Sequence, residues 1–156
     1  MPLQTNDFAD RAAEQAARFE LGLSSWSIVS WADEVIAELP QPPIELIDLS
    51  LSGSNGADVL ALLERLAASA DPKSIRPALA EFRQRVGTGA IRLRDALSRL
   101  EGFAGRHANA VGNEMRDFLV WADDEYDLIE RGYIDRTHEQ LRVALDEQLR
   151  RSAAEA

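Results

Sequence analysis

Apolar side chains recur with a helical period along one long segment in the second half of the chain. Between residues 93 and 129 an apolar or small residue occupies every third or fourth position. Because an α-helix turns once in about 3.6 residues, these positions share one face of a helix, whereas a strand would require strict alternation. Residues 90–131 are therefore either one long helix or two helices with aligned apolar faces, and Gly112 followed by Asn113 offers a break between two helices.

The other periodic stretches are also helical, and glycine and proline separate them. The stretch after "PQPP" at 40–43 allows two interpretations, because Ile47, Leu49 and Leu51 alternate as they would in a strand. A lone strand would have no partner for its backbone hydrogen bonds. We therefore favour a short helix that begins at the second of the paired prolines.

The last apolar stretch of the chain has a capping signal at its start. Either Asp135 or Thr137 offers the capping oxygen, and Gln140 stands three residues after Thr137, as a capping box requires. In total the periodic stretches predict an all-α fold, an irregular bundle of six to eight helices. We expect one domain over residues 1–156, with frayed ends at 1–5 and 151–156.

The tripeptide Trp-Ala-Asp occurs twice, at 31–33 and at 121–123, each time within a stretch whose apolar residues recur with a helical period. Its tryptophan and alanine fall on the apolar face of the predicted helix, and its aspartate falls on the polar face. We therefore expect Trp31 and Trp121 to be buried in the core. Trp26 stands in the first turn of its helix, where it is either a core residue, which we favour, or an exposed anchor for a protein partner.

The residue types that most catalytic and metal sites require are scarce in this chain. There is no cysteine, which excludes disulfides, thiolate zinc sites and cysteine nucleophiles. The two histidines, His107 and His138, belong to no Glu-x-x-His or His-x-x-x-His pair. The loop at 52–58, "SGSNGAD", lacks the Lys and Ser or Thr that end a phosphate-binding loop. We expect no enzyme activity, no catalytic residue and no cofactor.

Neither a targeting signal nor a membrane span is predicted. The first residues, "MPLQTNDFADRAAEQ", contain no basic start and no apolar core of the kind that signal peptides have. No apolar run approaches the roughly 18 residues that cross a bilayer as a helix. We expect a cytoplasmic protein that does not bind membranes.

The formal net charge of −10 argues against a general nucleic-acid binder. Residues 1–60 carry a net charge of −8, residues 61–110 carry +4, and residues 111–156 carry −6. Such a chain can pair its basic middle with its acidic flanks when it folds, and we favour that pairing over phosphate contacts. The carboxylates that exceed the bases in number would attract a basic partner toward the protein. The bases concerned are Arg83, Arg85, Arg92, Arg94, Arg99 and Arg106.

The segment "VWADDEYDLIERGYID" at 120–135 concentrates carboxylates on a predicted helix. Asp123, Asp127 and Glu130 are spaced i, i+4 and i+7, so they share a face that could offer oxygen ligands to calcium or magnesium. We favour a solvated acidic face with nearby arginines as counter-charges. A divalent-metal- or small-ligand-binding helical bundle that uses these carboxylates stays as the alternative interpretation.

Residues 22–53, "GLSSWSIVSWADEVIAELPQPPIELIDLSLSG", contain the pattern Gly-x-Ser, then Trp-Ala-Asp, then Pro-Pro-x-Glu-Leu-x-Asp-Leu-Ser. In this pattern the chain resembles small uncharacterised bacterial all-helical proteins, some of which look like immunity partners of polymorphic toxins. The resemblance covers about a fifth of the chain. It implies a bacterial, intracellular helical domain, and it carries over no catalytic residue.

These observations favour a non-enzymatic, acidic protein-interaction domain that occludes a basic protein partner, and an immunity-type protein is one form of such a domain. Acidic side chains would steer the partner and form the rim of the contact. A homo-oligomer built on the helix near 90–131 is a further interpretation. The predicted partner-binding residues are Trp26, Asp33, Glu34, Glu38, Glu45, Asp48, Asp123, Asp124, Asp127 and Glu130.

Overall fold

The computed structural model describes residues 5–23, 28–51 and 56–155. Within these ranges the chain forms eight α-helices and one 3-10 turn, Pro72–Ile75, and no strand, so the all-α prediction is confirmed. None of the described helices combines the length and the apolar character that a membrane crossing requires. The α-helices are α1 (Thr5–Glu20), α2 (Ile28–Glu38), α3 (Ile44–Leu51), α4 (Gly56–Leu66), α5 (Arg76–Gly87), α6 (Leu93–Arg106), α7 (Ala108–Glu130) and α8 (His138–Glu155).

The chain divides into two compact units, Met1–Ile75 and Arg76–Ala156. In the first unit α1 packs against α4, and α3 packs against both α2 and α4. Ala12 and Ala16 of α1 are buried together with Trp31 of α2, whose burial was predicted. Small side chains on α1 allow a close approach of its neighbour, while the larger side chains of α2 to α4 fill the core. The expectation of a single domain over the whole chain stays a prediction.

The short segment after the prolines is a helix and not a strand, as we favoured. The carbonyl of Pro43 accepts hydrogen bonds from the amides of Leu46, at 3.1 Å, and Ile47, at 3.4 Å. Helical bonding therefore begins at the proline, whose fixed φ suits a first turn. Leu46 and Leu49 are fully buried, so this eight-residue helix is anchored by one face.

In the second unit the long periodic segment is broken. α6 ends at Arg106, α7 begins at Ala108, and His107 lies between them. Gly112 is a second interruption inside α7, with φ 79° and ψ 168°, a conformation that is essentially confined to glycine. Of the two alternatives left open, the broken one is therefore present: the candidate break at Gly112 is a kink within α7, and the break at His107 is an additional one. α6 packs against α7, and α8 packs against both α5 and α7.

The start of α8 carries the predicted capping box. The Gln140 amide donates to the Thr137 hydroxyl at 3.2 Å, and the Thr137 amide donates to the Gln140 side-chain carbonyl at 3.0 Å. The helix continues to Glu155, so residues 151–155, which we expected to fray, are helical. The last turns are held because Ser152 is buried and Arg151 pairs with a glutamate of α7 at 3.2 Å.

Candidate functional site

Five of the predicted contact residues lie on α2 and α3 of the first unit. Glu45 is half-buried and the other four are exposed. The Ser50 hydroxyl, near the end of α3, donates a hydrogen bond to the Asp33 carboxylate of α2, which fixes the two helices beside each other. We call this set the α2–α3 acidic face. It consists of Asp33, Glu34, Glu38, Glu45 and Asp48.

The α2–α3 acidic face lies in a stretch of chain that contains no base. Residues 19–64 hold eight carboxylates and no lysine, arginine or histidine. Among the described residues, the ion pair that this face makes is Arg11 with Glu38, at 3.1 Å. The first unit as a whole has twelve acids against four bases, a net charge of −8. The negative charge of this face is therefore largely uncompensated by the described residues of the first unit.

The other acidic cluster, which we call the α7 cluster, consists of Asp123, Asp124, Asp127 and Glu130, and bases of the same unit contact it. The Arg94 guanidinium, at the start of α6, lies 3.2 Å from Asp123 and 3.7 Å from Asp127. The Nε2 atom of His138 lies 2.9 Å from the Glu130 carboxylate. The predicted pairing of the basic middle of the chain with an acidic flank is confirmed at Arg94. The α7 cluster consequently exposes less net negative charge than its sequence indicates.

The geometry around the α7 cluster bears on the alternative metal interpretation. Within the described ranges, no group of three or more His, Cys, Asp or Glu side chains is arranged to hold a metal ion. Asp123 and Asp127 both face the guanidinium of Arg94, and Glu130 faces His138. A metal ion at Asp123 and Asp127 would have to displace the Arg94 guanidinium, because that cation already lies where their charges converge.

A groove of about 410 Å³ lies between α6 and α7 in the second unit. Asp123 and Asp124 of α7 border it together with Glu101 of α6, and Arg116 adds one positive charge. Asp124 makes no ion pair with any described residue. Sequence reasoning missed Glu101, because it is an isolated acid among the arginines of α6. The packing of α6 against α7 is what brings it close to the other two carboxylates.

The tryptophans of the two Trp-Ala-Asp tripeptides differ in their burial. Trp31 is 5% exposed, as predicted, but the prediction that Trp121 is a core residue is wrong, since 38% of it is exposed. Leu119 and Ala122 occupy the buried positions of that turn of α7, so helical geometry places Trp121 at the edge of the buried face. The Arg136 guanidinium lies 5.2 Å from the centre of the Trp121 ring. Trp26, also a predicted contact residue, lies outside the described residues.

Two large apolar side chains of α3 are exposed next to the acidic face. Ile44 is 63% exposed and Leu51 is 78% exposed. Sequence reasoning did not single them out, although α3 gives a signal. Five of its eight residues are isoleucine or leucine, and a helix that packs through one face cannot bury all of them. The first unit therefore presents apolar and acidic side chains on adjacent surfaces.

The pKa shifts in the second unit come from ion pairs on helix surfaces. Arg83 donates two hydrogen bonds to Asp146, at 2.8 and 3.1 Å, and these bonds raise the pKa of Arg83. Arg142 donates to the Gly87 carbonyl at 2.6 Å, and its hydrogen bond to Glu139 raises the pKa of Arg142. Both shifts stabilise the charged form. A general acid or base that works near neutral pH needs the opposite change.

Comparison of the chain with protein-family models, with curated proteins and with solved structures found no match in any of the three. The fold and the surface therefore define this protein only as a class. It is an all-α protein in which one unit carries an acidic surface with few bases to compensate it. The resemblance to bacterial immunity-like proteins stays a prediction.

Proposed function

We propose that this chain is a non-enzymatic protein-interaction domain that binds a basic protein through the α2–α3 acidic face. Binding there would cover a basic surface of the partner and so block what that surface does. This is the mode of action expected of an immunity-type protein. The alternative of a metal-binding bundle gains no support from the bases that face Asp123, Asp127 and Glu130.

One observation carries the proposal, namely the absence of bases from residues 19–64. α2 packs against α3, so their exposed carboxylates lie on adjacent helices, where like charges repel one another. Within the described chain, Arg11 relieves this repulsion at Glu38 alone. A basic partner would supply the missing positive charge, and the complementary fields would speed its association.

The two acidic clusters have different roles in this proposal. Asp123, Asp127 and Glu130 already contact bases of the protein, so a partner would have to compete with those bases for them. Three of the four exposed members of the α2–α3 acidic face, Asp33, Glu34 and Asp48, make no ion pair with described residues, and the fourth pairs with Arg11. The first unit therefore supplies the main contact, and the α7 carboxylates add to the long-range field.

The test compares two double variants that change the net charge of the chain equally. Glu34→Lys with Asp48→Lys alters the proposed face, and Glu101→Lys with Asp117→Lys alters exposed acids of the second unit that also lack an ion pair among the described residues. An oligolysine peptide is titrated into the isotope-labelled full chain, and amide shift changes are followed by NMR. We expect shift changes concentrated in residues 28–51, and an affinity reduced about tenfold in the first double variant.

The matched control decides the outcome. If the second double variant loses affinity as much as the first, the peptide senses only the overall charge and the proposed face has no special role. Shift changes spread evenly over the acids of the whole chain would contradict the proposal in the same way.

A further inference from the structure

The outward side of α3 carries a row of apolar side chains that the fold does not use. Ile44 and Leu51 are seven residues apart, so they lie on nearly the same side of the helix, with Ile47 between them. Ile44 and Leu51 are largely exposed, and Ile47 is half-buried. We call these three residues the α3 apolar row. Leu46 and Leu49 anchor α3 from the opposite side.

Carboxylates of α2 and α3 lie beside the α3 apolar row. Asp48 lies on the same outward side of α3, and Glu45 precedes it by one turn. Asp33 of α2 is joined to the end of α3 through its hydrogen bond with Ser50. Residues 19–64 contain no base, so the charges that α2 and α3 themselves place beside the row are all negative. An apolar surface with an acidic border complements a partner with an apolar centre and a basic border.

We propose that the α3 apolar row is the binding site for an amphipathic basic helix of the protein partner. This inference rests on the proposed function and names the part of the partner that binds. Apolar side chains of the helix would cover Ile44, Ile47 and Leu51, and its lysines or arginines would meet Asp48 and Asp33. Amphipathic helices that bind proteins use apolar anchors at positions i, i+3 or i+4, and i+7.

The spacing within the row favours a helical partner over an extended one. Seven residues of helix place Ile44 and Leu51 about 10 Å apart along the axis of α3. A second helix repeats its own i and i+7 side chains at the same interval. Side chains on one face of a strand recur every 6 to 7 Å or so, and neither one nor two such steps matches the interval.

Apolar and charged contacts would affect different rates. Steering by the carboxylates raises the association rate and weakens as salt is added. Covering the apolar row slows dissociation and depends little on salt. Single substitutions at the row should therefore act on the dissociation rate, and charge reversals should act on the association rate.

The test uses two synthetic lysine–leucine peptides of identical composition against the full chain. One places its leucines on one face of a helix, and the other scrambles them. We expect the first peptide to bind about tenfold more tightly, and Ile44→Ser and Leu51→Ser each to reduce that advantage mainly through faster dissociation. Val143→Ser, at a similarly exposed valine of α8, is the control and should change nothing. NMR spectra of each variant verify that the fold is kept.

Two failures can be told apart. If both peptides bind equally, or if the serine variants at α3 match the Val143→Ser control, the inference is wrong while the proposed acidic face can still stand. If Glu34→Lys with Asp48→Lys leaves oligolysine binding unchanged, the proposed function itself fails. Serine substitutions in the row should leave oligolysine binding intact, and a loss there would also overturn the division between apolar and charged contacts.

Discussion

The Arg94 guanidinium lies 3.2 Å from the Asp123 carboxylate, which joins the first turn of α6 to the second half of α7. The same guanidinium also lies 3.7 Å from Asp127. In the sequence, the acids of α7 form the more conspicuous of the two acidic clusters. In the folded second unit they are partly neutralised, whereas the acids of α2 and α3 have, among the described residues, a base at Glu38 alone.

Replacing Arg94 with alanine should destabilise the second unit modestly. The substitution leaves Asp123 and Asp127 facing each other at an i, i+4 spacing, and it removes the contact of the guanidinium with the Tyr126 ring at 5.1 Å. We expect a loss of about 0.5–1 kcal/mol in the free energy of unfolding, because all of these charges are exposed. Urea unfolding at low salt measures it, and added salt should reduce the difference.

Arg92→Ala is the matched control, since Arg92 is an exposed arginine at the same end of α6 with no side-chain capping bond. It should change the stability much less than Arg94→Ala does. Equal effects of the two substitutions would mean that the contacts of Arg94 contribute nothing beyond its charge.

Glycine-to-alanine substitutions should have opposite signs in α6 and α7. A Cβ atom added at Gly102 or Gly105 of α6 would meet nothing within 4 Å, and both residues have ordinary helical backbones. Each substitution should raise the free energy of unfolding by roughly 0.5–1 kcal/mol, because alanine restricts the unfolded chain. Gly112→Ala should lower it by about 1–3 kcal/mol, because φ is 79° there. Denaturant unfolding of the three variants checks the signs, and a stabilising Gly112→Ala would show that the kink is absent in solution.

Acid titration should find Glu147 with an unusually low pKa. The Arg150 guanidinium donates hydrogen bonds to its carboxylate at 2.6 and 3.0 Å, which lowers the pKa from 4.5 to about 2. The charged form is therefore favoured in the folded state. The stabilisation is complete above pH 4.5, where the unfolded residue is also ionised, and it is lost as the pH falls through about 2. Carboxyl NMR titration measures the pKa directly.

In the same pH window, Glu147→Gln should weaken the dependence of stability on pH. Glu101→Gln removes an exposed acid that makes no ion pair with described residues, and it serves as the comparison. A Glu147 titration near 4.5 would show that the pair with Arg150 does not persist in solution.

The tryptophans should differ in their access to solvent. In a Trp26→Phe background, Trp31→Phe leaves Trp121 as the fluorophore, and Trp121→Phe leaves Trp31. Because Trp31 is 5% exposed and Trp121 is 38% exposed, acrylamide should quench the Trp121 emission several times more efficiently. Its emission should also lie at longer wavelength. Equal quenching in the two variants would contradict the difference in burial between the tryptophans of the two Trp-Ala-Asp tripeptides.

Helix positions were predictable because the signals are local. Spacing of apolar residues, the prolines before Ile44 and the Thr137–Gln140 capping box each act within a few residues of chain. The apolar periodicity between residues 93 and 129 illustrates the limit of such reasoning. It correctly predicted helix, but the spacing alone does not distinguish one helix from two. The break at His107 has no clear signal in the sequence.

The candidate site was predictable in part. The acids of α2 and α3 were proposed as contact residues, and four of the five are exposed. The exposed Ile44 and Leu51 were not foreseen, because periodicity identifies an apolar face without showing which of several apolar faces the core accepts. The prediction that Trp121 is buried was wrong for the same reason, because its neighbours Leu119 and Ala122 occupy the buried positions.

By itself the sequence determined that the chain is helical, where most helices begin and end, and how much charge each segment carries. These properties depend on neighbours within a turn or two of the chain. Only the tertiary structure decided which charges remain uncompensated, because an ion pair such as Arg94–Asp123 joins residues 29 positions apart. Coulombic neutralisation depends on distance in space, so two acidic segments that look alike in sequence become a paired cluster on α7 and an open acidic face on α2 and α3.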